Sequence, residues 1–207
     1  MVAPTHDFYH VGSGVTAYVG RSAPGLVLAG TWVIGGDSIT DPDYQSGPFF
    51  QMFSASRKPP KVLRNTAQFG RTLQQLIDTF ASEVAVLSPD NYAVRIGQNS
   101  LANTEAQFKS QYLQIIDLIK NAGIFGVMHA LTPNGNGPLV IARNSWIQSV
   151  CDADPDNLLF VNDAVDLGNI NYVAIPAYYD AELVHPLAIG NRIQSRGKLL
   201  EAYDAFL

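Results

Sequence analysis

The sequence predicts an α/β fold of three layers, α/β/α, built around a five-stranded parallel sheet. Two observations lead there. Short apolar runs of strand length recur along the chain, at Thr31–Ile34, Lys61–Arg64, Tyr92–Ile96, Ile124–Ala130 and Leu158–Val161. Between them, apolar residues recur at the spacing of a helix with one buried face. Strands that alternate with helices imply right-handed crossovers and a parallel sheet covered on both sides.

Taken in order, residues 1–25 stand apart from the rest. Phe8-Tyr9-His10-Val11 and Val15-Thr16-Ala17-Tyr18-Val19 read as short strands around Gly12-Ser13-Gly14, and Ala23-Pro24-Gly25 ends the pattern. This predicts an N-terminal arm or β-hairpin over 1–25, followed by one domain over 26–207. His6 and His10 are four apart, but the segment reads as extended and has no further ligand nearby, so a metal site is not expected.

In the main domain Leu73, Leu76, Ile77 and Phe80 share one helical face, as do Phe108, Tyr112, Ile115, Ile116 and Ile119. A further helix is expected over Asn144–Cys151, and a last one over Pro186–Phe206 with Ile189, Ile193, Leu200 and Tyr203 inward. Phe49, Phe50 and Phe53 read as core, with an acyl pocket as the alternative. His129, in the apolar run Phe125–Leu131, reads as a core or strand-end histidine.

Composition narrows the functional classes. With 207 residues the chain can bury roughly 70% of its unfolded surface, so it needs no disulfide or metal to fold. A net charge of −5, with 13 Lys and Arg residues in no basic block, argues against nucleic acid as a partner. No apolar run approaches the roughly 20 residues of a membrane span. Met1-Val2-Ala3-Pro4-Thr5-His6-Asp7 lacks the basic start and apolar core of a signal peptide. Cys151 is the single cysteine, reads as a packing residue, and leaves the redox compartment undecided.

Active sites in such sheets lie beyond the carboxyl ends of the strands. Four polar segments fall there: Gly36-Asp37-Ser38-Ile39-Thr40, Asn65 through Thr72, Gly97-Gln98-Asn99-Ser100, and Asp180 through Pro186. Convergence of Ser, Gly, Asn and His at one rim suits acyl transfer. A serine hydroxyl is a poor nucleophile until an imidazole takes its proton, which His185 could do for Ser38. The imidazole needs an acceptor on its far side, and Glu182 and Asp180 are the candidates, with a backbone carbonyl as the alternative. The oxyanion of a tetrahedral intermediate needs preorganised donors, available from the backbone N–H groups of Ser38 and Gly70 and the amide of Asn99. Plainer roles exist for each residue: Ser38 in a turn, His185 and Asn99 as helix caps, Gly70 as a loop glycine. Asp37 reads as structural, pinning its own loop.

The four segments, in this order, resemble the sequence blocks of the SGNH (GDSL-type) esterase and lipase family. The likeness runs from residue 31 to about 195. It implies the flavodoxin-like SGNH hydrolase sheet, Ser38 as nucleophile, Ser38, Gly70 and Asn99 as the oxyanion hole, His185 as base and an acid at position 182. The departures are Ala67 at the first glycine of block two, Gln98 and Ser100 in block three, and Glu182 where the family has aspartate. Arg95, inside an apolar strand, fits no block. A flavodoxin-like nucleotide-binding domain matches the same strand pattern, but no glycine-rich loop with a lysine follows the first strand.

The resemblance implies a serine esterase acting on short-chain carboxylic esters, O-acetyl groups on carbohydrate in particular, through an acyl-enzyme. No metal or organic cofactor is implied. The partner is then a small-molecule or glycan ester, with neither nucleic acid nor membrane. The strand-like arm would suit attachment to a larger multidomain or phage-tail assembly, extracellular or virion-associated. The alternatives are a carbohydrate-binding or structural module that has lost the chemistry, and a lipase or thioesterase of the same family.

Overall fold

The computed structural model describes residues 9–11, 15–17, 30–43, 61–164, 167–169, 171–179, 181, 185 and 186. Two short strands, β1 (Tyr9–Val11) and β2 (Val15–Ala17), pair antiparallel as a hairpin. The main sheet has five strands, β3 (Thr31–Gly36), β4 (Lys61–Asn65), β5 (Asn91–Arg95), β6 (Phe125–His129) and β7 (Leu158–Val161). All pair in parallel, in the order β4-β3-β5-β6-β7. Each begins and ends within two residues of its expected position.

Burial follows position in the sheet. The five residues of β5 are all buried, as a central strand packed on both faces requires, whereas Lys61, Leu63 and Arg64 of edge strand β4 are exposed. Helices α1 (Leu73–Glu83), α2 (Glu105–Asn121) and α3 (Gly137–Ala153) share one hydrophobic core with Val33, Tyr92, Val94, Met128 and Phe160 on one face of the sheet. The first two open with matching capping boxes, Thr72 with Gln75 and Thr104 with Gln107. Of the expected apolar face of α1, Leu73, Leu76 and Phe80 are buried and Ile77 is half-buried, and on α2 Phe108, Tyr112, Ile115, Ile116 and Ile119 are all buried.

Helix α3 starts at Gly137, seven residues ahead of the expected Asn144. Pro133-Asn134-Gly135-Asn136-Gly137-Pro138 reads as loop throughout, but a proline is tolerated in the first helical turn, where its missing N–H has no partner to lose. Cys151 lies buried in the core, as a packing residue would. The expected terminal helix after Pro186, and Phe49, Phe50 and Phe53, lie outside the described residues.

The strand order places the site. From β3 the chain moves outward to β4, then returns past β3 to β5 and continues the other way. The crossovers leave a crevice where the direction reverses, between the carboxyl ends of β3 and β5. The loop carrying Ser38 follows β3, and the loop carrying Asn99 follows β5.

Candidate active site

The loop after β3 is a single tight turn. The N–H groups of Thr40 and Asp41 both donate to the Asp37 carbonyl at 3.0 Å, and Ile39 N–H donates to Asp37 Oδ1 at 3.1 Å. Gly36 enters this turn at φ +149°, and a Cβ there would run into the Arg95 carbonyl and the Thr40 side chain. Only glycine fits both restrictions. The result holds Ser38 at the sheet rim, 4% exposed.

The chain brings His185 to it from 147 residues away, with Nε2 at 2.8 Å from Ser38 Oγ. His185 is buried to 7% exposure, and its ring lies nearly parallel to that of Phe69, at 19° and 6.4 Å between centroids. Glu182 and Asp180, the two expected acids, lie outside the described residues.

The loop after β4 runs alongside the first. Thr66 N–H donates to the Ile34 carbonyl at 2.7 Å, Gln68 N–H to that of Gly36 at 3.2 Å, and Phe69 N–H to Asp41 Oδ2 at 2.8 Å. In return Asn65 Nδ2 donates to the Thr40 carbonyl at 3.0 Å. Gly70 then turns the chain at φ +71°, a left-handed conformation that favours glycine. Ala67, the departure at the family's first glycine, is not in that conformation: its N–H closes a turn onto Asn65 Oδ1 at 2.9 Å, and a methyl group costs nothing there.

Asn99 lies in a short 3₁₀ turn, Gln98–Ser100, and its amide donates to the Arg71 carbonyl at 3.1 Å. It does not cap α2, whose cap is Thr104. One N–H of the amide remains for another acceptor. Among the described residues, the backbone N–H groups of Ser38 and Gly70 have no acceptor either. The departures Gln98 and Ser100 are structural here: Gln98 Nε2 reaches the Thr132 carbonyl at 3.4 Å, and Ser100 Oγ accepts from Leu73 N–H at 3.0 Å.

Three buried arginines support these loops. Arg71 donates to the Thr66 carbonyl at 2.6 Å, to Thr79 Oγ1 and to Glu83 Oε2, tying the Gly70 loop to α1. Arg143, from α3, donates to the carbonyls of Ser100, Leu101 and Asn103 at 2.9–3.1 Å, and its guanidinium stacks on Phe108 at 4.0 Å. Arg95, which fits no sequence block, is fully buried, donates to the Ala130 carbonyl at 2.9 Å and pairs with Asp163. The Arg71 and Arg143 roles were missed in the sequence because a cation in a loop or on a helix usually faces solvent. Arg95 carried the one visible hint, a charge inside an apolar strand.

Behind Ser38 these charges shift one another. Burial raises the Asp37 carboxyl to about 6, although the Ile39 N–H and the nearby Arg95 and His185 pull it down. Burial is the largest single influence on Asp163 and raises it, but the charges and hydrogen bonds of Arg95 and His129 together outweigh it and hold that carboxyl at about 2. His129, at 3.2 Å from Asp163, is lowered mainly by burial, which leaves Arg95 as the chief countercharge of Asp163. Among the described residues, no three His, Cys, Asp or Glu side chains come together as a metal site would need.

No protein-family model and no curated protein matches the sequence. Solved structures do match in three dimensions. A GDSL-like lipase from Bacteroides thetaiotaomicron superposes with a TM-score of 0.69 at 20% identity, over 86% of this chain and 89% of that one. A catalytic mutant of an acetylxylan esterase from Geobacillus stearothermophilus superposes with a TM-score of 0.64 at 18% identity, over 84% of this chain and 94% of that one. The five-stranded all-parallel sheet of this chain and its overlap with these structures over more than four-fifths of each chain agree: this chain has the three-layer α/β/α fold of the SGNH hydrolases.

Proposed function

We propose that this protein is a serine hydrolase of carboxylic esters, with O-acetyl groups on carbohydrate as its substrate class. The observation that carries the reading is the 2.8 Å approach of His185 Nε2 to Ser38 Oγ at the carboxyl edge of the sheet. The backbone N–H groups of Ser38 and Gly70, which have no acceptor among the described residues, and the second N–H of the Asn99 amide support the reading.

In this mechanism Ser38 Oγ attacks the ester carbonyl carbon while His185 Nε2 takes its proton. The carbonyl oxygen becomes an oxyanion held by the N–H groups of Ser38 and Gly70 and by the Asn99 amide. Collapse of the intermediate breaks the bond to the alcohol oxygen, and His185 returns the proton to it. Water then attacks the acyl-serine with His185 again as base, which releases the acid and restores Ser38. Since Nε2 faces Ser38, the orienting acceptor belongs at Nδ1, the role proposed for Glu182 or, failing it, Asp180. An acetylxylan esterase among the proteins of the same fold supports acetyl esters of glycans as the substrate class.

The test is hydrolysis of p-nitrophenyl acetate by the protein and by Ser38→Ala in parallel, with fluorophosphonate labelling of both. Loss of hydrolysis and of the label in the variant supports the reading. Equal activity in both proteins, or no label on Ser38, overturns it and favours a binding module that keeps the fold without the chemistry.

A further inference from the structure

The geometry points to Phe69 as a platform for the alcohol half of the substrate, on which the C–H face of a pyranose ring rests. This rests on reading Ser38 and His185 as an ester-cleaving pair. Phe69 is 62% exposed, and among the described residues it is the one aromatic side chain among the large hydrophobics that face solvent. Its backbone is held by the Asp41 carboxylate on its own N–H, by the Gln68 N–H on the Gly36 carbonyl before it, and by the Arg71 N–H on the Gln68 carbonyl, which closes a turn around it. The ring is therefore presented from a pinned loop.

Its position decides which half of the ester it meets. The leaving oxygen must receive its proton from His185 Nε2, so the alcohol group departs beside the imidazole. Phe69 lies nearly parallel to that imidazole at 6.4 Å, so the group bonded to the leaving oxygen comes to lie along the phenyl ring. The acyl carbon, held between Ser38 and the oxyanion donors, lies on the other side of the bond being broken.

The surroundings choose the chemistry of that alcohol. An alkyl alcohol would need a continuous apolar surface. The other exposed large hydrophobics among the described residues are Leu63, Val86, Leu113 and Ile141, on β4, after α1, on α2 and on α3 respectively. None shares a strand-end loop with Phe69. The exposed side chain next to it in that loop is polar, Gln68, and the neighbouring loop, tied to this one through the Arg71 carbonyl, exposes the Asn99 amide. A flat apolar surface rimmed by amides complements a sugar, whose axial C–H face is apolar and whose rim is hydroxyl.

The test compares fully acetylated methyl β-xyloside with vinyl acetate, whose alcohol is too small to reach the ring. In Phe69→Ala the ratio of kcat/KM for the sugar ester to that for vinyl acetate falls about tenfold, mostly through KM. Phe69→Trp keeps the ratio. An unchanged ratio in Phe69→Ala overturns the platform, as does a wild-type protein that cleaves vinyl acetate but not the sugar ester. Cleavage of neither ester by the wild type overturns instead the esterase reading on which the platform rests.

Discussion

The Asn99 side chain donates one N–H to the carbonyl of Arg71 at 3.1 Å, so one proposed oxyanion donor is aimed by the residue that follows another, Gly70. The loops after β4 and β5 are thus one unit, and the spare N–H of Asn99 is held in a fixed direction. Preorganised donors of this kind stabilise charge that develops only in the transition state. Asn99→Ala should lower kcat by about 10²-fold with little change in KM, measured on p-nitrophenyl acetate. A rise in KM at constant kcat would show that Asn99 binds the ground state instead.

Arg71 acts on the same loop from below. Without its guanidinium the Thr66 carbonyl loses a buried donor and Glu83 its countercharge. Arg71→Met should cost about 1–3 kcal/mol of stability in urea unfolding. Well below its melting temperature it should also lose about tenfold or more in kcat as the Gly70 N–H drifts from its place. Arg71→Lys, which keeps the charge but not the fork, should recover stability better than rate. Recovery of both in equal measure would show that Arg71 serves the fold and not the donor.

The buried Arg95–Asp163 pair joins the end of β5 to the loop after β7. Removing one partner of such a pair leaves a charge without compensation, a cost of about 3–5 kcal/mol. Asp163→Asn should show that loss in denaturant unfolding. The double variant Arg95→Met/Asp163→Leu should recover a large part of it, because no charge is left buried. A single variant within 1 kcal/mol of wild type, by the scale of surface pairs, would show that water reaches the pair.

Asp37 makes stability depend on pH with a defined sign. Its folded carboxyl titrates at about 6, above its ordinary 3.8. The folded state therefore binds the proton more tightly, and that contribution is complete below pH 3.8 and lost as pH rises through 6. His129, lowered by burial, works in the opposite sense as pH falls below its ordinary 6.5, so the wild-type curve mixes the two. The difference between Asp37→Asn and wild type isolates Asp37. From pH 4 to 6.5 it should shift in favour of Asp37→Asn, by at most about 3 kcal/mol. A difference that stays flat across this range would mean that Asp37 is ionised and solvated.

Much of the fold is legible in the chain because strand and helix periods are local. Thr31–Ile34 and Leu158–Val161 are apolar whatever they pair with, and Thr72 with Gln75 states a helix start within four residues. The strand-end loops are legible too, since Gly36-Asp37-Ser38 combines a tight turn with a hydroxyl. The start of α3 was hidden because Gly137-Pro138 carries the same residues as a loop, and only packing against β7 and the core decides which it becomes.

The sequence by itself determined the α/β class, the positions of the five strands and the residue types gathered at their carboxyl ends. Those properties are set by side chains near one another along the chain. Only the tertiary structure decided that Ser38 meets His185 across 147 residues, that Arg71 reaches Glu83, and that Arg95 is neutralised by Asp163 across 68. The first and last depend on strand order and all three on burial, and a buried charge declares its role only when the partner that pays for its desolvation is beside it.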